Sequence, residues 1–200
     1  MKKILKILLL IVLFAICCIL SVRIIPQEEY EKAKSGRTFD ATEQVDLFFS
    51  GILPAMAENA PPVADVLAAL AQDPVQAAEK YGRTLGIGAP YSMAVKGEGT
   101  VKAADAETIT LEENGITLRT AMIFGNSVRE ASGFFGIDDY ENTMDFNLIS
   151  SDINSRLEAS FAGRDFEPGR RVRYAGVMDV DPRKPLPAGY EVVPLILEAE

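Results

Sequence analysis

Apolar and polar positions fall into three regimes along the chain. The first is a single apolar run. Residues 7–22 are 16 consecutive positions without a charge, and Ile4 and Leu5 extend the stretch to 19 with Lys6 inside it. A helix rises about 1.5 Å per residue, so 19 residues span roughly 28 Å, close to the ~30 Å of a bilayer core. Lys6 can snorkel to the headgroups. Lys2, Lys3 and Lys6 precede the run and only Arg23 follows it closely. That excess of positive charge places the N-terminus in the cytoplasm and residues 24–200 outside it. Three readings of the segment compete. A cleaved signal peptide wants a small-x-small site, which Ile19-Leu20-Ser21 fits poorly. A lipoprotein signal wants a small residue before the lipidated cysteine, but Ile16 precedes Cys17, and Cys17 precedes Cys18. An uncleaved signal anchor over residues 1–25, in the membrane through 4–22, needs only length and flanking charge, and both are present.

The second regime is helical spacing over residues 26–82. Proline opens a short helix at 26–34, and acids fill its first turn. Asp40 and Glu43 form a capping box ahead of Val45, Phe48, Phe49, Ile52 and Leu53. Pro54 is expected to kink or end that helix. Residues 60–62 connect it to a helix over 63–72. Asp73 caps a further helix over 74–81, which Gly82 stops. Residues 83–90 read as a linker.

The third regime is strand-like alternation from Tyr91 onward. Strands are expected over 91–104, 107–113 and 116–124, then a helix over 145–162, then strands over 170–180 and 190–197. Gly97 and Gly99 suit a strongly bent first strand. Asn114-Gly115 is the favoured two-residue hairpin turn and would set Leu111 opposite Leu118. Three meandering strands, a helix and two strands is the order of an OB-fold barrel. The fold class is therefore α+β: a membrane helix, a small helical segment, and a five-stranded OB-like barrel over 91–200 with its helix between strands 3 and 4. A five-stranded open sheet backed by one helix is the alternative.

Composition narrows the chemistry. The 200-residue chain carries a net charge of −9. Beyond position 26 there are 16 basic residues against 29 acidic ones, a net of −13. Nucleic acid binding needs clustered Lys and Arg, and anionic lipid surfaces repel such a domain. No histidine occurs anywhere, and both cysteines, Cys17 and Cys18, lie in the membrane segment. The usual general base, the Ser-His-Asp and Cys-His arrangements and cysteine or histidine metal sites therefore fall away. No HExxH, GxSxG, Walker or dinucleotide motif occurs. An enzyme here would run on carboxylates, Lys or Tyr, and neither cofactor nor metal is expected.

Residues 123–156 interleave Asn126, Arg129, Glu130, Asp138, Asp139, Glu141, Asn142, Asn147 and Asn154 with Phe134, Phe135 and Tyr140. Arg129 has the planar fork that clamps a carboxylate or a diol. Against that, such a segment can cross a barrel end, with Asn and Asp capping turns, Arg129 paired to an internal acid and the aromatics plugging the core. Asp138, Asp139 and Glu141 lack the spacing of a calcium loop. Asp179-Val-Asp181-Pro reads as a turn, and Glu130 with Asp145 is a weak glycosidase-type pair. Arg170, Arg171 and Arg173 are expected in ion pairs within the domain.

With these segments in hand, the chain resembles a bacterial family of predicted lipoproteins catalogued as domain of unknown function 2291. The resemblance runs from about Ile25 to Leu197. It rests on Ile25-Pro26, on DPVQAAEKYGR (73–83), on GAPYSMAVKGEGTV (88–101), and above all on VREASGFFGIDDYENTMDF (128–146). Glu130 stands where that family usually has Asp, and Thr143 where it has Gln. Asn154 fits the asparagine of its Leu-Asn pair. The family usually has a clear lipobox cysteine, and this chain departs from that. The resemblance implies a membrane-tethered extracytoplasmic protein and carries no catalytic residue. Such genes often sit beside sugar-type ATP-driven uptake systems. The expectation is a non-enzymatic accessory module contacting a solute-binding protein, a transporter component or a small polar solute. Asn126, Arg129, Tyr140, Asn142 and Asn154 are the candidate contact residues, and Cys17 or Cys18 is the lipidation site if the segment is processed. A structural envelope protein and a carboxylate-based hydrolase are the alternatives.

Overall fold

The computed structural model describes residues 41–86, 88–140 and 142–200. The expected membrane segment with Cys17 and Cys18, the helix at 26–34 and Asp40 of the expected capping box lie outside the described residues. Among the described residues no helix is long and apolar enough to cross a membrane.

Helix α1 (Ala41–Leu47) runs through a π-helical turn (Phe48–Ile52) into α2 (Leu53–Asn59). Val45, Phe48 and Leu53 form the buried side of this unit. Pro54 neither ends nor breaks it. The wider π turn precedes it, and Pro54 falls in the first turn of α2, where a missing N–H leaves no gap. Helix α3 (Val63–Gln72) buries Val63, Val66 and Leu70, the apolar stripe visible in its spacing. Asp73 ends α3 and caps α4 (Pro74–Tyr81), its carboxylate accepting from the Val75 and Gln76 amides at 3.1 and 3.0 Å. The linker expected at 83–90 begins one residue later. Gly82 and Arg83 form a short strand β1 (Gly82–Arg83) against Met93 and Ser92.

The barrel strands are β2 (Tyr91–Ala104), β3 (Thr108–Leu111), β4 (Ile116–Arg119), β5 (Arg171–Val180) and β6 (Tyr190–Ala199). Their order closes on itself as β2-β3-β4-β6-β5-β2, with β4 and β6 parallel. Strand β2 serves two neighbours. It pairs with β5 from Tyr91 to Thr100 and with β3 from Val101 onward. Gly99 lies at that changeover, where a Cβ would sit 2.7 Å from the Glu113 carboxylate and 3.0 Å from Leu111. Met93, Val95, Val101, Ile109, Leu118, Val172, Val177 and Val192 supply the buried residues of all five strands.

The hairpin register differs from the expectation. Ile109, not Leu111, lies opposite Leu118. The cause is Glu113, whose carboxylate accepts from the Thr100 amide (2.8 Å) and hydroxyl (3.1 Å) of β2, while the Glu112 amide donates to the Thr100 carbonyl. These bonds draw 112–113 out of the ladder and lengthen the loop to four residues. Asn114 and Gly115 still adopt the left-handed turn conformation (φ 59° and 63°).

Between β4 and β5 lie α5 (Ser127–Ser132), a 3-10 turn (Ile137–Asp139) and α6 (Thr143–Phe161). Helix α6 buries Phe146, Ile149, Ile153, Leu157 and Phe161 on one side, and α1 packs against it. Helix α5 packs against β2 and β5. On the outer face, Arg171 pairs with Glu98 (2.5 Å) and Arg173 with Glu200 (2.6 Å). Both pairs are solvent-exposed, so water screens them and they add little to stability. Asp181 holds the turn after β5 by accepting from Arg183 and Lys184.

Candidate functional site

Strand β4 stops at Arg119 because the next two amides, of Thr120 and Ala121, both donate to the Glu107 carbonyl. Met122 takes a left-handed conformation (φ 54°) and reverses the chain. The Ile123 amide then donates to the Glu158 carboxylate of α6 at 2.6 Å, and its side chain is buried. Phe124 is thereby turned outward and is 74% exposed. The Gly125 carbonyl accepts from Asn154 Nδ2 at 3.0 Å, which ties the loop to the helix. The strand expected to reach Phe124 thus gives way to a loop pinned at two points on α6.

This loop and α6 enclose an open groove of about 370 Å³. Its polar lining comes from Asn126 on the loop and Asn147, Ser150, Ser151, Asn154 and Ser155 on the helix. Residues 147, 151, 154, 155 and 158 recur at three- and four-residue intervals, so they share one helix face. Ser150 is 5% exposed and its Oγ has no hydrogen-bond partner. Asn154 is 8% exposed and uses only its amide NH2 internally, leaving its carbonyl oxygen free. Glu158 is the one ionisable side chain in the lining. Phe124 forms the wall between this groove and a second depression of about 490 Å³ that includes Met122, Arg119 and Tyr190. A larger depression of about 740 Å³ adjoins at Ser155 and Glu158, and its wall mixes alanines with Asp105, Thr120, Arg164 and Asp165. The smaller groove carries the denser set of oriented polar groups.

The five candidate residues separate into two groups. Asn126 and Asn154 lie in the groove. Arg129 lies beneath the surface, 3% exposed, with its guanidinium 3.5 Å over the Phe146 ring and Nη1 donating to the Phe146 carbonyl at 2.7 Å. Tyr140 packs its ring 5.2 Å from Phe146 and donates its hydroxyl to Gln44 Oε1 of α1. Asn142 caps α6, accepting from the Asp145 amide at 2.9 Å. These three residues fasten the start of α6 to α1 and α5. Among the aromatics, Phe135 is buried against Phe48, whereas Phe134 stays partly exposed. The groove residues that sequence reasoning did not single out are Phe124, Ser150, Ser151 and Ser155. A small polar residue on a helix carries no periodic signal, and Phe124 read as the end of a strand.

The acid whose charge Glu130 feels is Asp179, whereas Asp145, the other half of the weak glycosidase-type pair, accepts from Asn142 Nδ2 at 2.7 Å. Glu130 sits 3.7 Å from Arg129, and burial with the nearby Asp179 charge holds its carboxyl above the usual range. Asp179 accepts from the Ser92 hydroxyl at 2.7 Å. The surrounding packing raises its carboxyl also, although one flank of the residue remains open to solvent. Because its folded-state proton affinity exceeds that of the unfolded chain, Asp179 favours folding below the ordinary carboxyl range, and that stability is lost as pH rises through its raised value. Asp179→Asn keeps an acceptor for Ser92 and removes the charge. Urea midpoints should match wild type near about pH 4 and exceed it at about pH 7, with the gap opening as pH rises. A variant less stable at the higher pH would show that the charge contributes to folding.

A family model described as predicted periplasmic lipoprotein (DUF2291) matches residues 10–198. No curated protein matches the chain. Among solved structures, an OB-fold protein from Thermotoga maritima MSB8 (TM0957) is similar at 23% identity with a TM-score of 0.68. The match covers 82% of this chain and all of that one. The likeness agrees with the strand order of the closed barrel, so both speak to the fold.

Proposed function

This chain belongs to the DUF2291 family of predicted periplasmic lipoproteins, and on that footing we propose that it is a membrane-tethered, extracytoplasmic accessory module that works by contact. The observation that carries the reading is the groove between Phe124 and α6, with its unpartnered Ser150 hydroxyl and the free Asn154 carbonyl oxygen. A buried polar group without a partner costs roughly 1–3 kcal/mol, so an occupant that satisfies it gains that much selectively. The two carboxyls displaced upward, Glu130 and Asp179, are engaged by Arg129 and Ser92. That favours a binding role over the carboxylate hydrolase. The partner proposed is a component of an ATP-driven uptake system or its solute-binding protein.

A photo-reactive phenylalanine analogue at Ser151, an exposed groove position, tests the reading in intact cells. Adducts identified as an uptake-system component are expected, with none from the same probe at Glu98, an exposed ion-paired position of β2 outside the groove. Adducts confined to envelope-assembly proteins would favour the structural alternative. Equal adducts from both positions would remove the groove from the proposal.

A further inference from the structure

Resting on the groove as the contact site, we infer that its occupant is an uncharged polyhydroxylated small molecule, of the sugar or polyol class. Four observations point there. First, the lining holds no Lys or Arg, and its one acid, Glu158, is committed to the Ile123 amide at 2.6 Å. An anionic ligand would enter with no counter-charge and an acid against it. Second, the remaining polar lining is amides and hydroxyls, which each offer both a donor and an acceptor. A hydroxyl-rich ligand has the same dual character on every ring carbon, whereas a carboxylate only accepts and an ammonium only donates. Third, Ser150 Oγ is buried and unpaired on the protein side, and Ser150 belongs to the groove lining one helical turn before Asn154 with its free oxygen. A ligand hydroxyl reaching this spot completes a hydrogen bond that the protein alone leaves unmade. Fourth, Phe124 is 74% exposed at the rim, held outward by bonds on either side of it, through Ile123 and Gly125 to α6. Its face offers a platform for the apolar C–H side of a sugar ring. The groove also opens at Ser155 and Glu158 into the neighbouring depression, so a ligand can extend beyond one ring.

The test uses the full chain in a detergent without a sugar headgroup, since such a headgroup would itself compete. Saturation-transfer NMR and calorimetry are run against neutral hexoses, pentoses and linear polyols, together with their uronate, phosphate and amino counterparts. Binding is expected for at least one neutral compound, with the uronate or phosphate at least about tenfold weaker. Phe124→Ala should weaken it about tenfold while leaving the fold intact, because that side chain is mostly solvated. Ser150→Ala is the sharper variant. It removes an unpaired buried hydroxyl, so the unliganded protein should be as stable as wild type or more so, while affinity falls about fivefold. A merely structural serine would give the reverse, lower stability with unchanged affinity. If no neutral compound binds, or charged ones bind equally well, the ligand class is wrong. Persistent groove cross-links to a protein partner would then leave the contact reading standing, and loss of both would remove it as well.

Discussion

Arg129→Ala is expected to lower stability by about 3 kcal/mol and to leave groove affinity unchanged at temperatures where the variant is folded. The guanidinium donates to the Phe146 carbonyl at 2.7 Å and covers the Phe146 ring at 3.5 Å, in a position only 3% exposed. A buried hydrogen bond to a charged group contributes roughly 1.5–3 kcal/mol, and a desolvated cation–π contact about 2. Opposing this, burial lowers the Arg129 pKa, and its Nε has no partner, so truncation relieves part of a standing desolvation penalty. The balance stays unfavourable because alanine removes the counter-charge 3.7 Å from the largely buried Glu130 carboxylate and leaves a void under the first turn of α6. In a domain of this size the melting temperature should fall by roughly 6–12 °C. Arg129→Lys keeps the charge without the planar stack and should fall between the two. A variant that melts like wild type yet loses groove binding would restore Arg129 as a ligand clamp.

The barrel was legible because its signals are local. Alternation over 91–104 and around 170–180 and 190–197, an Asn-Gly turn and one amphipathic helix fix the strand order, and the order fixes the OB topology. What was not legible depends on contacts distant in sequence. The hairpin register turned on Glu113 reaching Thr100 of another strand, 13 positions away. Strand β4 ended early because Glu107 takes the next two amides. Helix α5 has six residues, too few for a periodic signal, and its stop at Gly133 (φ 60°) resembles any loop glycine. At the candidate site, the composition of 123–156 marked the segment that borders the groove but could not sort its residues. Arg129, Tyr140 and Asn142 are polar residues consumed in fastening α6, whereas the groove depends on Ser150 and Phe124, whose roles come from where the loop is pinned.

Gly176→Ala is the second large effect, about 3 kcal/mol of destabilisation, and it probes barrel closure directly. Gly176 of β5 lies between two strands, opposite Val95 of β2 and Pro194 of β6. The β5–β6 register shifts there, Ala175 pairing with Ile196 and Gly176 with Pro194, which leaves Leu195 as the extra residue of a bulge. A proline is tolerated inside a closed sheet only where the ladder is already interrupted, because it has no N–H to donate. At the bulge the β6 backbone passes close against Gly176. A Cβ on Gly176 would lie 2.5 Å from the Val193 carbonyl and 2.6 Å from Val192 Cγ1. The carbonyl belongs to the ladder and cannot rotate aside, so relief requires β5 and β6 to separate at the closing seam. Overpacking of this kind costs typically 1–3 kcal/mol and more where backbone must move. The reduced entropy of an unfolded chain with alanine returns only about 0.4–1 kcal/mol. Gly51 supplies the control, an exposed helical glycine with nothing within 4 Å of its added Cβ. Gly51→Ala should therefore raise stability by up to about 1 kcal/mol. Urea midpoints of the two variants should move in opposite directions. Equal stability of Gly176→Ala and wild type would mean that the β5–β6 seam yields without cost, and that closure by β6 contributes little to holding the barrel shut.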